Sequence, residues 1–517
     1  MQGRPEFYGP LSLIVVILCM IAAHLSLLRV PYFWDETYFA TAARDLFLTG
    51  KLIPTTVPAE SHPPLVYLWL AAWWKLFGFN IPVARIAMLA AAAVTLVAIY
   101  RLARMLTTGA VPIVVTALTA AYPVFFVEST LVQLDMAAAG LTLWGVVAYL
   151  EGRRWNAGVM FGLAVLAKET TIVAPCAVLA AEFLVILLDR RRDMGAAIRS
   201  ALRTAFPLLL PFLALLCWFA WLYHATGFAL GDPGYVKYNV QDGLRPMRIV
   251  LACLQHFWHL PGYLNLFVLT GLAAILFATR PRLPALGSPK QYTRGWLMLV
   301  ALTAGYILML SVVGGGILAR YLLPVYPIVV LASVAAIGSR VKWWPAVAGL
   351  SAVAFVVGLF PYTNRFLFRR DDNLAYLDYV ALHQTAMGYI AGDNKTKVLT
   401  IWPGSNELSM PWLGYTKQPR EFLEIASFTR QELLAARPDR PQYILMFSRR
   451  VCEVENPILR ARWWHVNYFR AKEEVSPDEL ADVMNARVIY RGQRHCDWVA
   501  VLKVDDSDTS RQGQSAP

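Results

Sequence analysis

Asp35 and Glu36 form an adjacent acidic pair in Pro-Tyr-Phe-Trp-Asp-Glu-Thr-Tyr, directly after an apolar stretch. Apolar and aromatic surroundings raise a carboxylate's pKa and sharpen its value as a base. The same pair would equally serve the start of a helix over 37–48, with Asp35 as cap and Glu36 at the positive end. Spacing alone leaves those two readings level. Asp135, in Val132-Gln-Leu-Asp-Met, has Glu128 a few residues before it and again competes with a capping reading. Lys168-Glu169 interrupts an apolar region, where snorkelling or a mutual ion pair is the plainer account. Ser61-His62-Pro63-Pro64 sets a phosphate-binding side chain against a rigid corner, although a His beside prolines is more often structural. Arg320-Tyr-Leu-Leu-Pro-Val-Tyr-Pro follows Gly314-Gly-Gly, and Arg245 and Arg248 make a similar, weaker case for holding an anion. Carboxylates (Asp35, Glu36, Asp135) and cations (His62, Lys168, Arg320, Arg248) suit transfer of a sugar from a lipid phosphate. One carboxylate deprotonates the acceptor, and cations stabilise the departing phosphate.

The elements that must carry these residues are apolar. Of 517 residues, 57% are hydrophobic and 16% charged, against about 25% charged in an average globular chain. The mean hydropathy is +0.48. Disorder, a disulfide-stapled miniprotein and a simple cytosolic enzyme are excluded; the composition is that of an integral membrane protein. Apolar stretches at 11–30, 82–100, 110–126, 131–150, 156–170, 172–189, 204–223, 261–279, 296–313, 322–339 and 343–361 predict about eleven spans. The first is read as an uncleaved span, because it has no clean small-x-small site.

The net charge of +13 sits in short clusters between spans, such as Arg101/Arg104, Arg153/Arg154, Arg190–Arg192 and Arg340/Lys342. That placement follows the positive-inside rule and not the aromatic-interleaved stripe of a nucleic-acid binder. The predicted topology has a cytoplasmic N-terminus in the inner membrane and everything after about 362 outside. Two short helices, 37–48 and 65–77, are expected to lie in the interface within the first outside loop. Residues 224–260 are expected as a second long outside segment.

From about 371 the pattern turns to short strands alternating with helices: strands at 397–402, 442–447, 487–490 and 498–504, helices at 429–436 and 476–485. The expected domains are a membrane domain over 1–361, an α/β domain outside the membrane over 362–505, and a disordered tail over 506–517. Cys19, Cys176, Cys217 and Cys253 are expected as small buried residues near spans; Cys452 and Cys496 could pair in an oxidising compartment. No Cys/His metal spacing is present. No motif demands a cofactor, and a divalent metal is compatible with the carboxylates.

Trp34-Asp35-Glu36, His62-Pro-Pro-Leu-Val-Tyr-Leu-Trp-Leu with Leu76-Phe-Gly, Ala84-Arg85, Leu134-Asp135-Met136, Gly162-Leu-Ala-Val-Leu-Ala-Lys168 and Arg320-Tyr-Leu-Leu-Pro-Val-Tyr-Pro occur in that order. Over roughly residues 10–345 the chain resembles the GT-C glycosyltransferases of the protein O-mannosyltransferase and aminoarabinose transferase type. The resemblance implies a mostly α, polytopic, inverting enzyme that takes its sugar from a polyprenyl-phosphate carrier at the outer membrane face. It implies Asp35 as catalytic base, Asp135 as a second acidic residue of the cavity, Lys168 and Arg320 as cations near the carrier phosphate, and Glu36 as a supporting carboxylate. Aminoarabinose transferases carry Glu and Lys where this chain has Ser61 and His62, and the large inserted domain of eukaryotic mannosyltransferases is missing, which favours a bacterial enzyme. The acceptor is expected to be a lipid such as lipid A, a glycan or a protein, and no nucleic acid is expected as a partner. A transporter or flippase for a lipid-linked or anionic substrate is the alternative; its ionisable residues should cluster at mid-membrane on broken helices. A non-catalytic membrane receptor or assembly factor comes third.

Overall fold

The computed structural model describes residues 8–188, 205–281, 289–313, 316–361, 370–392, 395–449, 474–495 and 497–505. The chain divides into two compact units: Met1–Leu28 with Phe39–Leu359, and Arg29–Tyr38 with Phe360–Pro517. Cys452, Cys496, the Arg190–Arg192 cluster and the tail after 505 lie outside the described residues, and with them the expected disulfide and the expected disordered tail.

The first unit is helical. Its elements include α1 (Tyr8–His24), most of α2 (Asp35–Thr49), α3 (Leu65–Phe77), α4 (Ile81–Leu106), α5 (Val111–Ala121), α6 (Pro123–Glu128), α7 (Asp135–Leu150), α8 (Arg154–Ala167) and α9 (Val173–Leu188). It continues with α10 (Leu210–Thr226), α11 (Pro233–Asn239), α12 (Pro246–Gly262), α13 (Leu266–Thr279), α14 (Pro289–Val312), α15 (Tyr326–Gly338) and α16 (Trp344–Gly358). Each stretch predicted as a span carries a helix. Among the described residues five helical stretches are long and apolar enough to cross a bilayer: 9–27, 81–106, 207–226, 246–279 and 293–312. Their outward faces carry large apolar side chains such as Leu18, Leu216, Phe257, Ile275 and Leu308. A water-soluble chain does not leave that much contiguous apolar surface uncovered. This is a multi-pass membrane protein.

Inside the unit, small residues let helices approach closely, as they do where lipid supplies no hydrophobic drive. A Cβ on Gly145 of α7 would fall 2.6 Å from the ring of Phe161 on α8, so any larger residue there forces the pair apart at about 1–3 kcal/mol. The end of α1 is held by buried His24, whose ring nitrogens lie 2.7 Å from the Met20 carbonyl and 2.8 Å from that of Phe126.

Two expectations change. Residues 246–262 are not loop but helix α12. Its outward face is Met247, Val250, Leu254, Phe257 and Trp258, and its buried face is Arg248, Ala252, His256 and His259. The pattern is inside-out, apolar toward the surroundings and polar toward the protein, and the inward polar residues diluted the window that would have marked a span. A kink at Leu264 and Asn265, both at positive φ, separates α12 from α13; the Asn265 amide donates to the Ala354 carbonyl at 2.8 Å and holds the bend. The second correction concerns cysteine. Cys19, Cys176 and Cys217 are exposed and Cys253 is half-buried, all four as free thiols, because they lie on outward faces of their helices and not in the core.

The second unit holds a five-stranded sheet of order β2-β1-β3-β5-β4, built from β1 (Val398–Thr400), β2 (Phe422–Glu424), β3 (Tyr443–Phe447), β4 (Ala486–Arg494) and β5 (Asp497–Val504). β2, β1 and β3 run parallel, and β5 is antiparallel to both β3 and β4. All five residues of β3 are buried, as expected of a strand covered on both faces. Its helices are α17 (Tyr376–Met387), α18 (Gly404–Ser409), α19 (Arg430–Ala436) and α20 (Pro477–Met484). The last two start where sequence placed them, because Thr429 and Ser476 accept the N–H groups of Glu432 and Glu479. Helix α17 and strand β2 escaped sequence reading: α17 carries His383 and Gln384 among its apolar residues, and β2 is three residues long.

Candidate active site

Asp135 opens α7, where a carboxylate meets the positive end of the helix dipole. Lys168 ends α8 in an extended conformation, and a 3-10 turn over Glu169–Ile172 leads into α9. The break in helical geometry sends the two neighbours to different partners. Lys168 Nζ donates to Asp135 Oδ1 at 2.6 Å, and Arg320 Nε stands 3.5 Å from Asp135 Oδ2. Arg320 reaches there from a 3-10 turn over Ala319–Leu322. The Lys168 ammonium also lies 3.8 Å from the centroid of Tyr321, a cation–π contact. All three charged side chains are more than nine-tenths buried, with residue exposures of 6%, 7% and 4% for Asp135, Lys168 and Arg320. At such depth the cluster stands by mutual pairing, and removing its one carboxylate would cost about 3–5 kcal/mol.

Glu169 turns to His62, with Nδ1 to Oε2 at 2.9 Å. Glu60 Oε2 lies 3.4 Å and Tyr235 Oη 3.3 Å from the opposite nitrogen, Nε2. The plainer reading of Lys168-Glu169 as a mutual ion pair therefore gives way to two adjoining clusters that share this dipeptide. Burial alone would lower the His62 pKa; the Glu169 carboxylate, followed by Glu60, more than offsets it and raises the value. Burial, with Glu169 and Glu60 nearby, holds the Tyr235 phenol well above its usual value.

The sign of the pH effect follows. His62, raised above its unfolded value of 6.5, stabilises fully below that pH and loses the contribution as pH climbs through the folded value. Thermal stability of the detergent-solubilised protein should therefore decline from about pH 6.5 upward, and His62→Gln should flatten that decline. An identical slope in the variant would show that another group carries it.

The loop bearing His62 is fixed from outside. Trp218 Nε1 donates to the Ser61 carbonyl at 2.8 Å, and Asp232 N–H donates to the Ala59 carbonyl at 2.7 Å. Gly231 sits at φ +79°, where a Cβ would fall 2.6 Å from the Glu60 carbonyl carbon and 2.8 Å from Ser61 N. Gly231→Ala should lower stability by at least about 1–2 kcal/mol from the left-handed backbone alone and displace His62. An unchanged melting temperature would show that the contact is dispensable.

Residues 61–224 match the family model for dolichyl-phosphate-mannose-protein mannosyltransferases. The matched stretch includes His62, Asp135, Lys168 and Glu169. No curated protein matches the chain by sequence. Among solved structures, ArnT from Cupriavidus metallidurans bound to undecaprenyl phosphate superposes with a TM-score of 0.53 at 16% identity, covering 95% of this chain and 98% of that one. Its apo state gives 0.55 at 15% identity, over 95% and 97%. The chain shares the GT-C fold of those ArnT structures.

Within this GT-C fold the predicted residues fall in several places. Asp135, Lys168 and Arg320 form one cluster and His62 its neighbour. Arg248, on the buried face of α12, donates from Nη1 to the Gly243 carbonyl at 3.3 Å. Asp35 and Glu36 belong to the second unit: Asp35 is half-buried as the first residue of α2, and Glu36 is fully buried with Oε2 accepting the Phe33 N–H at 2.7 Å. Glu36 thus closes the start of the helix in the manner of a capping box. Sequence reasoning missed Glu60, Tyr235 and Tyr321. Asp232-Pro233 was the available signal for Tyr235, since Asp232 caps α11 by accepting from Gly234 and Tyr235. Among the described residues no group of three or more His, Cys, Asp or Glu is arranged to hold a metal ion.

Proposed function

We propose that this protein moves one sugar from a polyprenyl-phosphate-linked donor to a lipid, glycan or protein acceptor at the outer face of the cytoplasmic membrane, with inversion at the anomeric carbon. The buried Asp135–Lys168–Arg320 cluster carries the reading. It is a site for a phosphate ester inside a GT-C fold, and its partial match to the mannosyltransferase family supports the same class of donor. The undecaprenyl phosphate bound in the ArnT structure supports it further.

In the proposed reaction Asp35 takes the proton of the acceptor's hydroxyl or amine. The freed electron pair attacks the anomeric carbon from the face opposite the phosphate. The bond from that carbon to the phosphate oxygen breaks, and polyprenyl phosphate leaves with the electron pair. Lys168 and Arg320 hold the phosphate and stabilise the charge it gains, the kind of preorganised contribution that lowers a transition state most. Asp135 keeps both cations aimed, His62 adds positive charge beside them, and Arg248 is assigned to the carrier. Glu36 supports Asp35 by fixing the start of α2. The N-terminus is placed in the cytoplasm and the α/β domain outside.

The test is reconstitution of the purified protein in nanodiscs with a panel of undecaprenyl-phosphate sugars, combined with mass spectrometry of glycolipids and glycoproteins from a deletion strain. One donor should be consumed with release of undecaprenyl phosphate, and one sugar mass should disappear in the strain. Donors left intact, with no mass missing, would overturn the reading.

A further inference from the structure

The segment Arg29–Tyr38 belongs with the C-terminal domain, and the contacts that hold it bear on Asp35. Before Asp35, the Tyr32 N–H donates to the Leu413 carbonyl at 3.1 Å, and the Tyr32 carbonyl accepts from Tyr415 Oη at 3.0 Å. After it, Asn406 Nδ2 donates to Thr37 Oγ1 at 3.3 Å. Between them stands Trp34 at φ +46°, a left-handed conformation that a bulky residue keeps only where its surroundings over-determine it.

Those surroundings are aromatic and cationic. The Trp34 ring meets Tyr379 edge-on at 5.6 Å, Trp402 at 5.7 Å and Phe447 at 6.4 Å, and the Arg370 guanidinium carbon lies 5.3 Å from its centroid. The two nearest polar partners are themselves locked. Tyr379 Oη donates to Glu407 Oε1 at 2.9 Å, while Glu407 Oε2 faces His383 Nδ1 at 2.6 Å, all three residues being buried. Arg370 Nε pairs with Asp497 Oδ1 at 2.6 Å, and its Nη2 donates to the Ser448 carbonyl at 2.7 Å. Tyr379 Oη and the Arg370 guanidinium are thus both paired, which restrains the groups that rest against Trp34. Two buried networks of the domain, Tyr379–Glu407–His383 and Arg370–Asp497–Ser448, therefore reach the Trp34 ring.

We infer that Tyr379 and Arg370 are positioning residues for Asp35, acting through Trp34, and that this is a task of the C-terminal domain. The inference rests on the proposed role of Asp35 as base. A proton acceptor misplaced by about 1 Å loses on the order of 100-fold in rate, whereas donor binding, which depends on other residues, is untouched.

Tyr379→Leu removes the ring edge beneath Trp34. It should lower kcat by about 10- to 100-fold, leave the donor KM within about twofold, and speed hydrogen exchange of the amides over 32–37. Tyr379→Phe keeps the ring and should recover most of kcat. Where Tyr379→Leu does not fold, Trp34→Leu removes the same contact from the segment's side and leaves the domain core intact. A folded variant with wild-type kcat, or with unchanged exchange over 32–37, overturns the inference, as does a donor KM that rises in step with the fall in kcat. Failure of the underlying reading looks different: Asp35→Asn would then transfer sugar at the wild-type rate.

Discussion

Asp35→Asn should abolish sugar transfer, with kcat lowered by about 10²–10⁴-fold, the range for loss of a general base. The carboxamide matches the carboxylate in size, so packing at the start of α2 is preserved, and Glu36 still closes that helix through the Phe33 N–H. What is lost is a proton acceptor and a favourable charge at a helix N-terminus, the latter only about 0.3–1 kcal/mol of stability. Expression, melting temperature and binding of undecaprenyl phosphate should therefore stay near wild type while single-turnover transfer stops. Transfer at the wild-type rate would remove Asp35 as base.

Arg320→Ala should weaken binding of the carrier phosphate by about 10- to 150-fold. A hydrogen bond to a charged group is worth about 1.5–3 kcal/mol, which converts to that range in a dissociation constant. The variant should still fold, because Asp135 keeps Lys168 at 2.6 Å and no carboxylate is stranded. Arg320→Lys should restore part of the affinity, since it returns the charge without the planar fork. Titration with undecaprenyl phosphate in nanodiscs at fixed ionic strength is the measurement, and unchanged affinity in Arg320→Ala would defeat the assignment.

The contrast between these variants and Gly231→Ala separates chemistry from scaffold. The first two leave the described geometry largely in place. Gly231→Ala acts through backbone that only a glycine can supply against residues 59–61.

Much of the fold is legible in the amino-acid sequence. Apolar length marks a helix at each predicted span, short strand-like apolar runs mark four of the five strands, and Thr429 and Ser476 mark helix starts because a cap bonds an amide three residues away. Helix α12 is not legible. Hydropathy averages over a window, and a helix whose polar residues all turn inward looks like a loop to that average. Nor is the division of labour at Lys168-Glu169: the sequence neighbours invite a mutual pair, and only the break after α8 turns one toward Asp135 and the other toward His62.

By itself, then, the sequence determined a multi-pass helical chain with a small α/β domain, because spans, caps and short strand-like runs are local signals readable within about 20 residues. The tertiary structure alone decided which charges meet. His62 lies 107 positions from Glu169, and Tyr32 lies 383 from Tyr415. Such partners are chosen by packing, and once water is excluded each buried charge is held by whichever opposite charge or backbone group the fold brings within reach.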